Sequence, residues 1–276
     1  MYKMKLKPLK QQVREVLTSS IAIFTLFSSA NTTAAESALN GILSSGELKF
    51  CFESGYIPFE MTDKNGRYVG FDIDLAKQMA RAINVKFVPV NTAWDGIVPA
   101  LKTGKCDFIG GMTITPERNL SVNFADPYIE VGQTILISPK LADKIHSFRD
   151  LNNQQYVIAT QMGTTGAEAA KKYLSGAKID LYDTSADAVL QIANGQADAF
   201  VYDFPYNAMY EAQHKDKVVH LDTSFTFEPL GWAVRQGDPD FLNFLNNFLR
   251  QIKGDGTYQR IHDKWFKSDE WVDSVQ

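Results

Sequence analysis

Leu48–Phe52 (LKFCF), Asp74–Ile83 (DLAKQMARAI), Val85–Val90 (VKFVPV), Gly96–Leu101 (GIVPAL) and Asp107–Gly111 (DFIGG) follow one another along the chain. The first, third and fifth are compact apolar runs and read as strands. The second carries Leu75, Met79 and Ala82 at helical spacing. The fourth opens a helix with Asp95 as its expected N-cap. The last strand runs on into Met112-Thr113-Ile114-Thr115. Strands that alternate with helices imply a mainly parallel sheet with helices on both faces.

The pattern then restarts. Gln155–Thr160, Ile179–Tyr182 and Ala197–Tyr202 read as strands, with helices at Gly166–Leu174 and Ser185–Asn194. Gly231–Val234 is a further strand, and Asp240–Lys253 and Thr257–Trp265 read as helices. No sequence repeat accompanies this duplicated architecture. Two α/β units of about 100 residues are a natural partition of such a length. In open α/β sheets a ligand sits beyond the carboxyl ends of the strands, so two facing units place it in the cleft between them.

The whole chain has 276 residues, 45% hydrophobic and 22% charged, with net charge −4, which fits a globular protein. Its beginning differs from the rest. Lys3, Lys5, Lys7, Lys10 and Arg14 stand against the single acid Glu15, a local +4 that leaves −8 on residues 36–276. An uncharged stretch, Val16–Ala30, follows, and then small residues with candidate cleavage points after Ala30 or Ala35. This is the order of a secretory signal peptide, and the apolar run is shorter than the about 20 residues that span a bilayer. The expected product is acidic and exported. Nucleic-acid binding is not expected, because no basic domain or stripe is present.

The chain carries few signatures of catalysis. His146, His214, His220 and His262 form no pair with zinc-ligand spacing. There is no nucleophile elbow, P-loop or dinucleotide fingerprint. Neither a catalytic group, a metal nor a cofactor is expected. Cys51 and Cys106 lie in or beside strands; buried thiols are the favoured reading and a disulfide the alternative.

Polar residues at the carboxyl ends of strands carry the chemistry. Phe52-Glu53-Ser54-Gly55-Tyr56-Ile57-Pro58-Phe59-Glu60 follows the first strand. Thr115-Pro116 starts a helix and holds Arg118 in its first turn, where a guanidinium can clamp a carboxylate. Gln161–Gly166 opens another helix, whose free N–H groups favour an anion. Asp203 closes a strand and can accept an ammonium. Together these offer one site for a carboxylate and one for an amine. Singly, each has a plainer reading, a surface arginine or a turn-capping aspartate.

Gly70-Phe71-Asp72-Ile73-Asp74-Leu75 resembles the signature of the family 3 extracellular solute-binding proteins, the amino-acid receptors of ABC importers. The likeness continues through Tyr56-x-Pro-Phe59, Gly111–Arg118, Gly163-Thr-Thr165, Gly195–Ala199, Gly256–Ile261 and Lys264-Trp-Phe266, in order. It implies a two-lobed periplasmic-binding fold of type II, each lobe a mainly parallel sheet flanked by helices, joined by a two-segment hinge. Residues 1–35 would be the signal peptide, 36–130 with 229–276 lobe 1, and 131–228 lobe 2. It further implies that Arg118 holds the α-carboxylate, helped by N–H groups near Thr113 and Thr165, and that Asp203 takes the α-amine. Gly111 and Thr113 would add polar contacts, Tyr56 and Trp94 would wall the side chain, and Asp72 and Asp74 would cap a helix.

Glu53 is then left for the ligand's side chain. A side-chain carboxylate would meet like charge there, whereas a guanidinium could pair with Glu53 and stack on the aromatic walls. Gln161 stands where glutamine receptors of the family carry lysine, as in arginine binders. The expected ligand is a basic L-amino acid, arginine foremost. A receptor for glutamine or another polar residue is the alternative, and a dehydratase on the same fold the remote one. The expected partners are the ligand and an ABC permease in the inner membrane, with the protein monomeric in the periplasm.

Overall fold

The computed structural model describes residues 36–275. The expected signal peptide lies outside them. In chain order the strands are β1 (Glu47–Phe52), β2 (Met61–Thr62), β3 (Tyr68–Val69), β4 (Lys86–Asn91), β5 (Phe108–Thr113), β6 (Asn123–Phe124), β7 (Ile129–Val131), β8 (Gln133–Ile137), β9 (Val157–Gln161), β10 (Lys178–Tyr182), β11 (Ala199–Asp203), β12 (Val219–Leu221) and β13 (Glu228–Val234).

They build two main sheets. The first has the order β4-β1-β5-β13-β6, with β7 also paired to β13; the second has the order β10-β9-β11-β8-β12. Each has a parallel half, as the strand–helix alternation requires: β1 lies parallel to β4 and β5, and β9 to β10 and β11. Antiparallel strands complete both. β13 runs against β5, β6 and β7, and β8 against β11 and β12. β13 is therefore a late segment of the chain inserted into the first sheet.

The chain crosses between the sheets at Gly132 and again between Leu221 and Glu228. The crossings touch: Phe225 N–H donates to Gln133 O at 3.0 Å and Gln133 N–H to Thr226 Oγ1 at 2.9 Å. A Cβ on Gly132 would fall 2.7 Å from Thr226 O and 2.8 Å from Ser224 Cβ, so this close approach requires glycine.

The helices bury the faces that the periodicity marks. Phe71–Ala82 puts Phe71, Ile73, Leu75, Ala76, Met79 and Ala80 inside. Pro239–Gly254 buries Phe241, Leu245, Phe248, Leu249 and Ile252, and Asp238 caps it by accepting from Phe241 N–H at 3.0 Å. The same Asp238 accepts from Ser37 Oγ and Ala38 N–H at 2.6 and 2.7 Å, which fastens the helix Ala38–Ser45 to it.

Several expectations change. The helix expected at Gly96 begins at Trp94 behind Ala93, so Asp95 is a first-turn residue, not the cap. Asp72 and Asp74 do not cap their helix, whose N-cap is Gly70. Asp74 instead accepts from Lys264 Nζ and Trp265 Nε1 at 2.7 and 2.9 Å, and Asp72 is buried. The cysteines are not free thiols: Cys51 in β1 is bonded to Cys106, just before the neighbouring β5. Phe204–Gln213 is a helix that periodicity does not announce, because only Tyr206 and Asn207 of it are buried.

Candidate functional site

The strand ends of both sheets converge on one cavity. Its lining includes Glu53, Tyr56, Trp94, Gly111, Thr113 and Arg118 from the side of the first sheet, and Thr165 and Asp203 from the side of the second. Eight of the nine residues expected from the sequence thus share one wall-to-wall space. The ninth, Gln161, stands one layer behind and donates from Nε2 to Glu53 Oε2 at 2.6 Å and to Asp183 O at 3.0 Å. Tyr202 Oη donates to its Oε1 at 3.1 Å.

Arg118 sits where the Thr115-Pro116 start predicts. Thr115 Oγ1 accepts from Arg118 N–H at 3.1 Å and caps the short helix Pro116–Asn119. The guanidinium donates to Thr113 O at 3.0 Å and Gly163 O at 3.2 Å and lies 5.4 Å from the centre of the Trp94 ring. Burial pulls its pKa down, opposed by the nearby charges of Glu228 and Asp203.

Asp203 ends β11 and stands at the N-cap of Phe204–Gln213, yet its side chain does not cap. It turns into the cavity and accepts from Tyr56 Oη and Gln133 Nε2. Burial dominates its titration and raises its pKa to about 7. Glu53 accepts from Trp94 N–H at 2.9 Å as well as from Gln161, and burial raises its pKa too.

Contacts across the cleft join the walls directly. Besides Tyr56 to Asp203 and Gln161 to Glu53, Trp94 Nε1 donates to Gly163 O at 3.0 Å, and the Thr113 and Thr165 hydroxyls lie 3.3 Å apart. The structure is a closed form.

The sequence reading did not single out Glu60, Thr164, Gly166 and Tyr202, which also line the cavity. Glu60 ends the very stretch that contains Glu53 and Tyr56, and Thr164 and Gly166 flank Thr165, so position along the chain was the available signal. Gln133, one partner of Asp203, had none, because β8 reaches β11 only through the second sheet.

One cation and three carboxyl groups around a closed cavity suit a zwitterion with a further positive charge. The model of the bacterial extracellular solute-binding proteins, family 3, matches residues 48–268. The chain belongs to this family. Among relatives of this solute-binding protein, the ABC transporter arginine-binding protein 1 of Escherichia coli K12 is 34% identical over 82% of this chain and 93% of its own. A crystal structure of a binding component of an ABC transporter from Wolinella succinogenes, complexed with lysine, is 49% identical over 82% of this chain and 98% of its own, with TM-score 0.79. The crystal structure of an ancestral amino acid-binding protein, described as a precursor of cyclohexadienyl dehydratase, is 49% identical over 84% of this chain and the whole of its own, with TM-score 0.78. Both likenesses are those of a two-lobed periplasmic-binding fold.

Proposed function

We propose that this family member is the periplasmic receptor of an ABC importer for a basic L-amino acid, arginine or lysine foremost, and that it has no catalytic activity of its own. The observation that carries the reading is the placing of Arg118 and Asp203 on opposite walls of one closed cavity that also holds Glu53. Arg118 pairs with the α-carboxylate, Asp203 with the α-ammonium, and Glu53 with the side-chain cation between Tyr56 and Trp94. The relatives that bind arginine and lysine support this choice.

The ligand then touches both lobes and favours the closed form over the open one, which is the differential affinity that closure needs. The closed form is what the membrane permease would receive. Residues 1–35 would be the export signal, and the two crossings near Gly132 and Thr226 the hinge.

A second reading is a receptor for glutamine. It is favoured by the two donors Glu53 already accepts, which leave it able to take a carboxamide. Calorimetric titration with arginine, lysine, histidine, ornithine and glutamine separates the readings. Heat from the cationic amino acids and little from glutamine is expected; binding of glutamine alone overturns the cationic reading. Asp203→Ala should weaken binding by roughly 10- to 100-fold, the worth of one charge-assisted hydrogen bond. Near-unchanged affinity in that variant contradicts the bridging role. Consumption of a cyclic carboxylic acid by the purified protein would instead make it a dehydratase.

A further inference from the structure

Glu60 is a side chain that the proposed ligand contacts leave unused. It is 2% exposed, yet it lines the cavity. Gly111 leaves it uncovered: a Cβ there would lie 3.1 and 3.3 Å from the two Glu60 carboxyl oxygens and 3.3 Å from the Tyr56 ring. Behind Glu60 lies Asp72, whose Oδ2 accepts from Tyr128 Oη at 2.6 Å and Gly111 N–H at 2.9 Å.

Two oxygens in this pair, Glu60 Oε1 and Asp72 Oδ1, are buried with no partner among the described residues. Geometry packs the two carboxyls against the same stretch of backbone: Asp72 N–H donates to Phe59 O beside Glu60 at 3.1 Å, and a Cβ on Gly110 would lie 3.0 Å from Asp72 Oδ2 as one on Gly111 would lie 3.1 Å from Glu60 Oε1. Two carboxylates offer only acceptors, so neither can satisfy the other's unpartnered oxygen unless a proton stands between them. Leaving both ionised would bury two like charges side by side, which neither could sustain.

Among the described residues no cation pairs with either carboxyl. Glu53 lines the same cavity from the loop after β1, Tyr128 Oη donates to Asp72, and Tyr258 Oη donates to Tyr128 O at 2.7 Å. Tyr56 and Tyr202 line the same cavity, and Arg118 already donates to Thr113 O and Gly163 O. Glu60 stands on the same loop as Glu53 and Tyr56 and lines the cavity with them, and a Cβ on Gly111 would meet both Glu60 and the Tyr56 ring. This puts Glu60 on the side-chain end of the ligand space.

We propose that the Glu60–Asp72 pair is a second recognition element for the ligand's side-chain cation, holding one proton between its carboxyls in the empty cleft and releasing it to solvent when the cation arrives. The O–H bond of Glu60 breaks, the proton passes to buffer, and the carboxylate that remains faces the new positive charge. A neutral side chain brings no such charge and leaves the proton in place. This inference rests on reading the cleft as a cationic amino-acid site.

The test is calorimetry of the full mature chain near pH 7 in two buffers of different ionisation heat, with L-arginine and with L-glutamine. Glu60→Gln keeps a donor toward Asp72 but has no proton to lose. The wild-type protein should release more protons with arginine than Glu60→Gln does, and any contribution of Asp203 cancels in that difference. Arginine affinity should fall about tenfold or more in Glu60→Gln, with glutamine affinity within about threefold. Asp72→Asn, which removes the anion that holds the proton on Glu60, should bind arginine with little proton release. Equal proton release in wild type and Glu60→Gln overturns the proposal. So does an equal loss of both ligands, which marks a structural role. A wild-type protein that binds glutamine and no cationic amino acid overturns the reading of the cleft, and the proposal with it.

Discussion

At the scale of single residues, the site is an excess of buried carboxyl groups around one guanidinium. Asp72 and Asp203 are each raised from 3.8 to about 7, mainly by burial. The folded ligand-free chain therefore holds more protons than the unfolded chain between about pH 4 and pH 7, and its stability falls as pH rises through that window. Melting temperatures of the ligand-free protein should decline from about pH 5 to pH 8, and Asp203→Asn should flatten part of the slope. A melting temperature that climbs over this range would contradict it. On the proposed reading ligand binding runs the other way: an Asp203 that takes the α-ammonium does so best when ionised, so affinity should strengthen as pH rises through about 7. The place of Arg118 and Asp203 in the cavity lining was legible because each stands at or just after a strand end. Glu60 was not, since its importance depends on Asp72 and Gly111, which the fold brings beneath it from other segments.

At the scale of elements, local chemistry reads directly where a cap or a stripe decides. Thr115 and Pro116 start the short helix that holds Arg118. Thr115→Ala should cost about 1 kcal/mol of stability, measured by urea unfolding, and should also weaken ligand binding by loosening the Arg118 turn. Loss of stability with full affinity would separate the cap from the site. The long apolar stripe of Pro239–Gly254 was equally plain. The start at Trp94 was missed because Asp95 looks like a cap, whereas Glu53 accepts the Trp94 N–H from a distant loop and takes over that work. Phe204–Gln213 was missed because a helix that packs by few residues shows no periodicity.

At the scale of the whole molecule, the disulfide and the double crossing shape the lobes. Cys51 and Cys106 are 55 residues apart, and closing a loop of that size restricts the unfolded chain by about 4 kcal/mol in the chain-entropy picture. A Cys51→Ser, Cys106→Ser double variant should lose stability of that order in urea unfolding, and a reductant should destabilise the wild type but not the variant. Equal midpoints for both proteins would show that the bond contributes nothing. An oxidising compartment suits such a bond.

The sequence by itself determined the α/β alternation, its restart that builds a second sheet, and the strand ends from which Arg118, Asp203, Glu53 and Tyr56 project. These are local properties: apolar periodicity and capping act within a few residues. Only the tertiary structure decided that Cys51 and Cys106 pair, that β13 returns into the first sheet, and that Glu60 backs onto Asp72. Each depends on segments brought together across tens of residues, and their contact energies have no trace in the local pattern. Burial then converts those placements into chemistry, because it sets which carboxyl groups of the cleft keep a proton.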